Sequence, residues 1–128
     1  MATIVESGNW NESPWQTVRE GISRVVFGMG ASDNMSCTVS KVENGNEVKP
    51  HIHPNDQIAL VLEGVCDYYV DGVVYRLTPG SWVTVPGNVE HYIHVYDSPI
   101  PCLQMDIFYP ARPEYTESYS KFLEEQNK

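Results

Sequence analysis

The strongest constraint on the fold is a rhythm of short apolar runs broken by turn residues. It starts at Ser36 and continues to Phe108. Ser36–Val42 alternates and reads as a strand. Asn44, Gly45 and Asn46 turn the chain. Positions 48–53 read as extended, and Pro50 favours that backbone at Lys49. Pro54 and Asn55 interrupt the run. Positions 57–62 are dense in Ile, Val and Leu and read as a buried strand. Positions 65–70 and 73–77 are joined by Asp71-Gly72, a dipeptide typical of tight hairpins. Strands at 81–85, 91–96 and 102–108 follow, with Pro- or Gly-containing breaks between them. Upstream, 17–27 gives one or two strands with a turn or edge feature at 19–21, and 28–35 gives a polar loop. About nine short strands at this spacing predict an all-β sandwich or barrel of antiparallel strands. The tail at 114–128 is expected to hold one short helix, patterned by Ser118, Tyr119, Phe122 and Leu123.

A length of 128 residues with 41% hydrophobic composition suits one globular domain, positions 1–128, with a core that needs no staples. The formal charge of -9 repels phosphate backbones and argues against nucleic acid as a partner. A small anionic ligand stays open, because local positive charge can outweigh the global sign. Cys37, Cys66 and Cys102 are odd in number and widely spaced. They read as buried thiols in a reducing compartment, not as a disulfide framework or a cysteine zinc site. Positions 1–9 lack a basic region followed by an apolar run, so no signal peptide is expected. No apolar stretch approaches the roughly 20 residues of a membrane span, and a cytoplasmic protein is expected.

The chemistry concentrates in the histidines. His51 and His53 are separated by one residue, and Gln57 and His91 follow. Side chains on a strand alternate, so the two imidazoles of a His-x-His pair face one side. Gln57 can add its amide oxygen after the Pro54-Asn55 turn. His91 has to arrive from a distant strand. Three imidazoles and one amide would hold one divalent transition metal with a position left open to water or substrate. Iron, manganese, nickel, cobalt and zinc all suit imidazole. The neutral ligands leave the ion's full electrophilicity, which favours Lewis-acid polarisation of a carbonyl or hydroxyl. His94 lies three residues after His91 and should face the other way, and Glu90 should be solvated. Tyr68, Tyr75, Trp82, Tyr92 and Tyr96 read mainly as sheet packing or a dimer surface.

These residues resemble the cupin superfamily over positions 35–108. The first cupin motif reads as Gly45, His51, His53, Gln57 and Gly64, and the second as Gly80, Pro86 and His91. Gln57 replaces the usual acidic ligand, Asn88 the usual glycine, and Val95 the usual terminal asparagine. The resemblance implies a jelly-roll barrel, a double-stranded β-helix, with a metal site. "HIHPNDQIALVLEG" and "DIFYPARPEY" look like the small KdgF-type cupins, which carry three His and one Gln. Members of that group convert unsaturated uronates into linear 4-deoxy keto-uronates. The resemblance implies functional roles for Asp106, Phe108 and Arg112.

Asp106 and Phe108 share parity on the last strand, so both should point inward. Asp106 then serves either as general acid and base or as an orienting partner of a ligand histidine. Phe108 reads as pocket wall. Arg112, in a loop beyond the strand, fits a substrate carboxylate. The expected function is metal-dependent linearisation of a small unsaturated uronate. A metal-dependent dioxygenase, a lyase acting on a small acid, and a non-catalytic sugar-binding barrel are the alternatives. A homodimer is expected.

Overall fold

The computed structural model describes residues 5–28 and 34–128. The start of the amino-terminal segment and the middle of the 28–35 loop lie outside the described residues. The elements run β1 (Gln16–Arg19), β2 (Ile22–Phe27), β3 (Ser36–Val42), β4 (Asp56–Glu63), β5 (Cys66–Val70), β6 (Val73–Leu77), β7 (Trp82–Val85), β8 (His91–His94), β9 (Cys102–Tyr109) and α1 (Pro113–Gln126). A short 3-10 turn at Trp10–Glu12 precedes them. All strand pairs are antiparallel. One sheet has the order β1-β2-β3-β9-β4-β7 and the other β6-β5-β8. This is the antiparallel two-sheet architecture expected from the strand rhythm, and the jelly roll that the resemblance implied.

The turns behave as their residues dictate. Asp71 and Gly72 both take positive φ, 51° and 78°, as a two-residue hairpin turn requires. Asn88 takes φ 65° where a glycine would be usual. Gly64 has φ +76°, and a Cβ there would stand 2.6 Å from Ser98 Oγ and 2.9 Å from the Cys102 Cα. No other residue fits that corner.

Two apolar layers hold the sheets. Between them lie Val61, Tyr68, Val70, Val83, Val85 and Val95. Behind the large sheet, Val25, Val26 and Val39 meet Tyr119, Phe122 and Leu123 of α1. Residues 115, 119, 122 and 123 form a helical stripe, with Tyr119 the most buried. The tail is helical as expected, over the 14 residues Pro113–Gln126. Its packing against β2 makes it a third layer of the fold.

Three expectations change. Positions 48–53 form no strand; only an isolated bridge joins His51 to His91. Pro50 and Pro54 lack backbone N–H donors, so a ladder cannot run through the segment. β4 is buried on one face only, since Gln57, Ala59 and Val61 are buried while Ile58 is 40% exposed. Cys66 and Cys102 are buried but Cys37 is half-buried, and all three are free. Among the described residues, no helix is long and apolar enough to cross a membrane.

Candidate metal centre

His51 precedes β4 and His91 opens β8. Their backbones exchange two hydrogen bonds, 3.1 Å from the His51 N–H and 3.0 Å from the His91 N–H. That exchange sets the two residues side by side, with ring centroids 4.2 Å apart. His53 places its ring 4.6 Å from that of His91. One ring nitrogen from each of the three lies within 4.8 Å of the others. The His-x-His geometry expected of a strand is thus delivered by one bridge.

The ring orientations are held by the main chain. Nδ1 of His51 donates to the Lys49 carbonyl (2.9 Å), Nδ1 of His53 to the Asn55 carbonyl (3.1 Å), and Nδ1 of His91 to the Val89 carbonyl (2.8 Å). A carbonyl oxygen only accepts, so each Nδ1 carries the proton. Each neutral ring then turns the Nε2 lone pair toward the cluster. The His91 Nε2 is buried and has no hydrogen-bond partner. The Gln57 Oε1 lies 3.0 Å from the His53 Nε2. With Nδ1 protonated, that contact brings together two lone pairs, which repel unless a cation lies between them. Two ligands at right angles, each about 2.1 Å from an ion, would stand about 3.0 Å apart. The donor set therefore fits a divalent metal ion.

Gln57, on the inward face of β4, cannot swap its oxygen and nitrogen. Its Nε2 donates to the Tyr68 hydroxyl (2.9 Å) and to Asp106 Oδ1 (2.6 Å). Gln104 Nε2 donates to the same carboxylate oxygen at 2.5 Å. Register explains the meeting. Gln57 pairs with Phe108 and Ala59 with Asp106 across β4 and β9, so alternate residues of both strands share one interior face.

Burial sets the charge states. Desolvation lowers the pKa of all three histidines, and His91 falls to about 4. They are neutral near pH 7, as metal ligation requires. Asp106 is raised to about 6 by burial, against the lowering effects of Gln104, Gln57 and Arg112. Burial likewise pushes the Tyr68 phenol above its ordinary range.

His51, Gln57, Asp106 and Phe108 face a cavity of about 450 Å³. Phe108 is fully buried and packs edge-on against His53 and Tyr115. Arg112 also lines the cavity; its Nε meets Glu114 Oε1 at 2.5 Å, and its guanidinium lies 3.9 Å from the Tyr115 ring centroid. Asn55 Nδ2 donates to the Pro110 and Ala111 carbonyls and fastens the Arg112 loop beside His53. All seven residues singled out in the sequence thus gather in one region. His94 instead rests on Tyr96, Trp82 is 68% exposed, and Tyr92 stacks on Tyr69, so none of them borders this cavity.

The sequence reading missed Tyr68, Gln104, Thr38 and Tyr115, and it did not bring Arg19, Arg24 and Lys49 to the address it gave Arg112. Arg19, Arg24, Lys49 and Arg112 all line the cavity, half of the chain's eight Lys and Arg. Asp106 is the single acid among the described lining residues. Gln104 has the same parity on β9 as Asp106, and that signal was available. Nothing local in the sequence brings Arg24 of β2 to a site built around His51.

Residues 38–108 match the cupin domain, and the chain belongs to the cupin family. Its three-histidine cluster supports a metal-binding cupin. The solved structure of KdgF from Halomonas sp. is similar, with a TM-score of 0.74 and 27% identity over 82% of this chain and 94% of that one. An RmlC-like cupin from Shewanella frigidimarina gives a TM-score of 0.76 and 25% identity over 90% and 99% of the two chains. A dimethylsulfoniopropionate lyase from Ruegeria pomeroyi is 27% identical over 82 residues, 64% of this chain and 50% of the relative. The match thus spans about half the length of that lyase.

Proposed function

We propose that this cupin is a metal-dependent isomerase that linearises a small unsaturated uronate. The observation that carries the reading is Asp106: a half-buried carboxylate joined through Gln57 to the histidine cluster, and the single acid beside four basic residues among the described residues lining the cavity. His51, His53, Gln57 and His91 are the proposed ligands. A divalent ion bound there would polarise substrate oxygens.

The chain's own groups account for the proton movements. With a pKa near 6, Asp106 is largely ionised at pH 7 yet basic enough to accept a proton. It takes the proton of the anomeric hydroxyl as the ring C–O bond breaks and the aldehyde forms. The electron pair passes to the ring oxygen, giving an enolate whose double bond already exists in the substrate. Asp106 then returns the proton to the enolate carbon, and the ketone forms. No atom is gained or lost and no oxidant is needed. Phe108 walls the cavity, and Arg112 meets the substrate carboxylate. Gln104 and Gln57 keep Asp106 aimed by donating to one of its oxygens.

A lyase acting on dimethylsulfoniopropionate is less well supported. Its carboxylate would suit the basic residues of the cavity, but among the described lining residues only Asp106 is an anion that could face its sulfonium cation.

The test is incubation of the metal-loaded protein with an unsaturated uronate while substrate absorbance and dissolved oxygen are followed together. The expected result is loss of the unsaturated bond with oxygen constant. Asp106→Asn should keep the metal and lower turnover by about 10² or more. Oxygen consumption would move the protein to the dioxygenases, and an inert uronate would refute the proposed substrate.

A further inference from the structure

Arg24, on β2, is 8% exposed, yet no carboxylate pairs with it among the described residues. A buried cation without an anion is costly. Its hydrogen-bond partners are neutral: Nε donates to Gln16 Oε1 at 3.1 Å, and a terminal nitrogen donates to Ser118 Oγ at 3.4 Å. Its guanidinium lies 4.3 Å from the Tyr115 ring centroid, the same ring that carries Arg112 at 3.9 Å. Two cations therefore share one aromatic ring at the cavity wall. Burial, together with Arg112 and Arg19, opposes the charge on Arg24 and lowers its pKa, while Tyr115 acts the other way.

Arg112 is partly neutralised by Glu114, but Arg24 is not. Two further groups of the cavity lining are unsatisfied: the Arg19 Nε and the Thr38 Oγ1 are buried without hydrogen-bond partners. Thr38 lies directly across from Asp106 in the β3–β9 register. The residues that carry these groups, Arg19, Arg24 and Thr38, line the same cavity as His51.

We propose that Arg24 is the specificity-determining residue for acidic substrates, forming with Arg112 on the Tyr115 ring a two-guanidinium clamp for a carboxylate. This deepens the uronate reading and rests on it for the class of ligand. The ligand carboxylate supplies the missing counter-charge, and the Arg19 Nε and Thr38 hydroxyl serve neighbouring oxygens. Gln16 and Ser118 are positioning residues that aim the guanidinium.

The experiment uses the manganese-loaded protein and a saturated hexuronate, galacturonate, as the probe, with galactose as the uncharged control. Isothermal titration calorimetry reads binding, elemental analysis reads manganese, and thermal melting reads stability. Arg24→Met should weaken galacturonate binding at least about tenfold, the scale of one charge-assisted hydrogen bond, and leave galactose binding and manganese content unchanged. Its melting temperature should be equal or higher, because an uncompensated buried charge is gone. A structural arginine would behave in the opposite way, losing stability and keeping affinity, and that result overturns the proposal. If Arg24→Met does not fold, Arg24→Lys carries the test, since it keeps the charge but loses the planar fork. Wild-type galacturonate affinity in whichever variant folds also overturns it. Clamp binding without any linearisation of an unsaturated uronate would retain the clamp and remove only the reaction.

Discussion

Replacing Asp106 by Asn should stabilise the metal-free protein at neutral pH, while the proposed turnover falls. Asp106 has a folded pKa of about 6 against an ordinary 3.8, so the native state holds its proton more tightly than the unfolded chain does. Between roughly pH 4 and 6 the folded protein therefore binds more protons at this site, and stability falls as pH rises. Above pH 6 the native carboxylate is ionised at a cost of about 3 kcal/mol, from about two pKa units at 1.36 kcal/mol each. Partial exposure to the cavity reduces this, so about 1–3 kcal/mol is expected. Asparagine keeps an oxygen for Gln57 and Gln104 and carries no charge. His91 acts in the opposite sense. Its folded pKa of about 4 lies below the ordinary 6.5, so stability falls as pH drops from about 6.5 to 4. In the wild type the two slopes oppose each other; in Asp106→Asn only the histidine slope remains. The assay is urea unfolding of chelator-treated wild type and variant from pH 4.5 to 8. The stability gain of the variant should grow from about pH 4 to 6 and then level off. A variant less stable than wild type at pH 7.5, or a gain that shrinks as pH rises, would refute the account of Asp106 as a destabilised carboxylate.

His51→Ala should reduce the metal content measured by elemental analysis from about one ion per chain to nearly none, with circular dichroism unchanged, because the backbone bridge to His91 survives. Tyr68→Phe removes one of the two acceptors that orient the Gln57 amide, and metal affinity measured against a competing chelator should drop about tenfold. Gly64→Ala combines positive φ with a close approach to Ser98 and Cys102, and urea unfolding should register a loss of about 2 kcal/mol or more.

The fold was legible because turn chemistry and alternation are local. Asp71-Gly72 announced its hairpin, and the parity of Asp106 and Phe108 on β9 put both in the cavity. The His51–His53 pair was legible as a ligand pair but not as a non-strand, since only the distant His91 supplies the bridge that orders it. Helix α1 was legible because Ser118, Tyr119, Phe122 and Leu123 keep a helical spacing, while Tyr115, which joins their packed face, was not singled out. Arg24 and Tyr68 stayed hidden for a topological reason. β2 reaches the site only through β3 and β9, and β5 only through the opposite sheet. No window of the chain contains those pairings.

The residues proposed to hold an ion sit in the middle of the chain, between His51 and His91, whereas the residues proposed to grip the acid enter from β1, β2, β3 and the start of α1. The two ends of the polypeptide can therefore diverge without disturbing the inner cluster. Transplanting both ends from a barrel of different preference should retune which compound is accepted while the protein goes on loading the same cation.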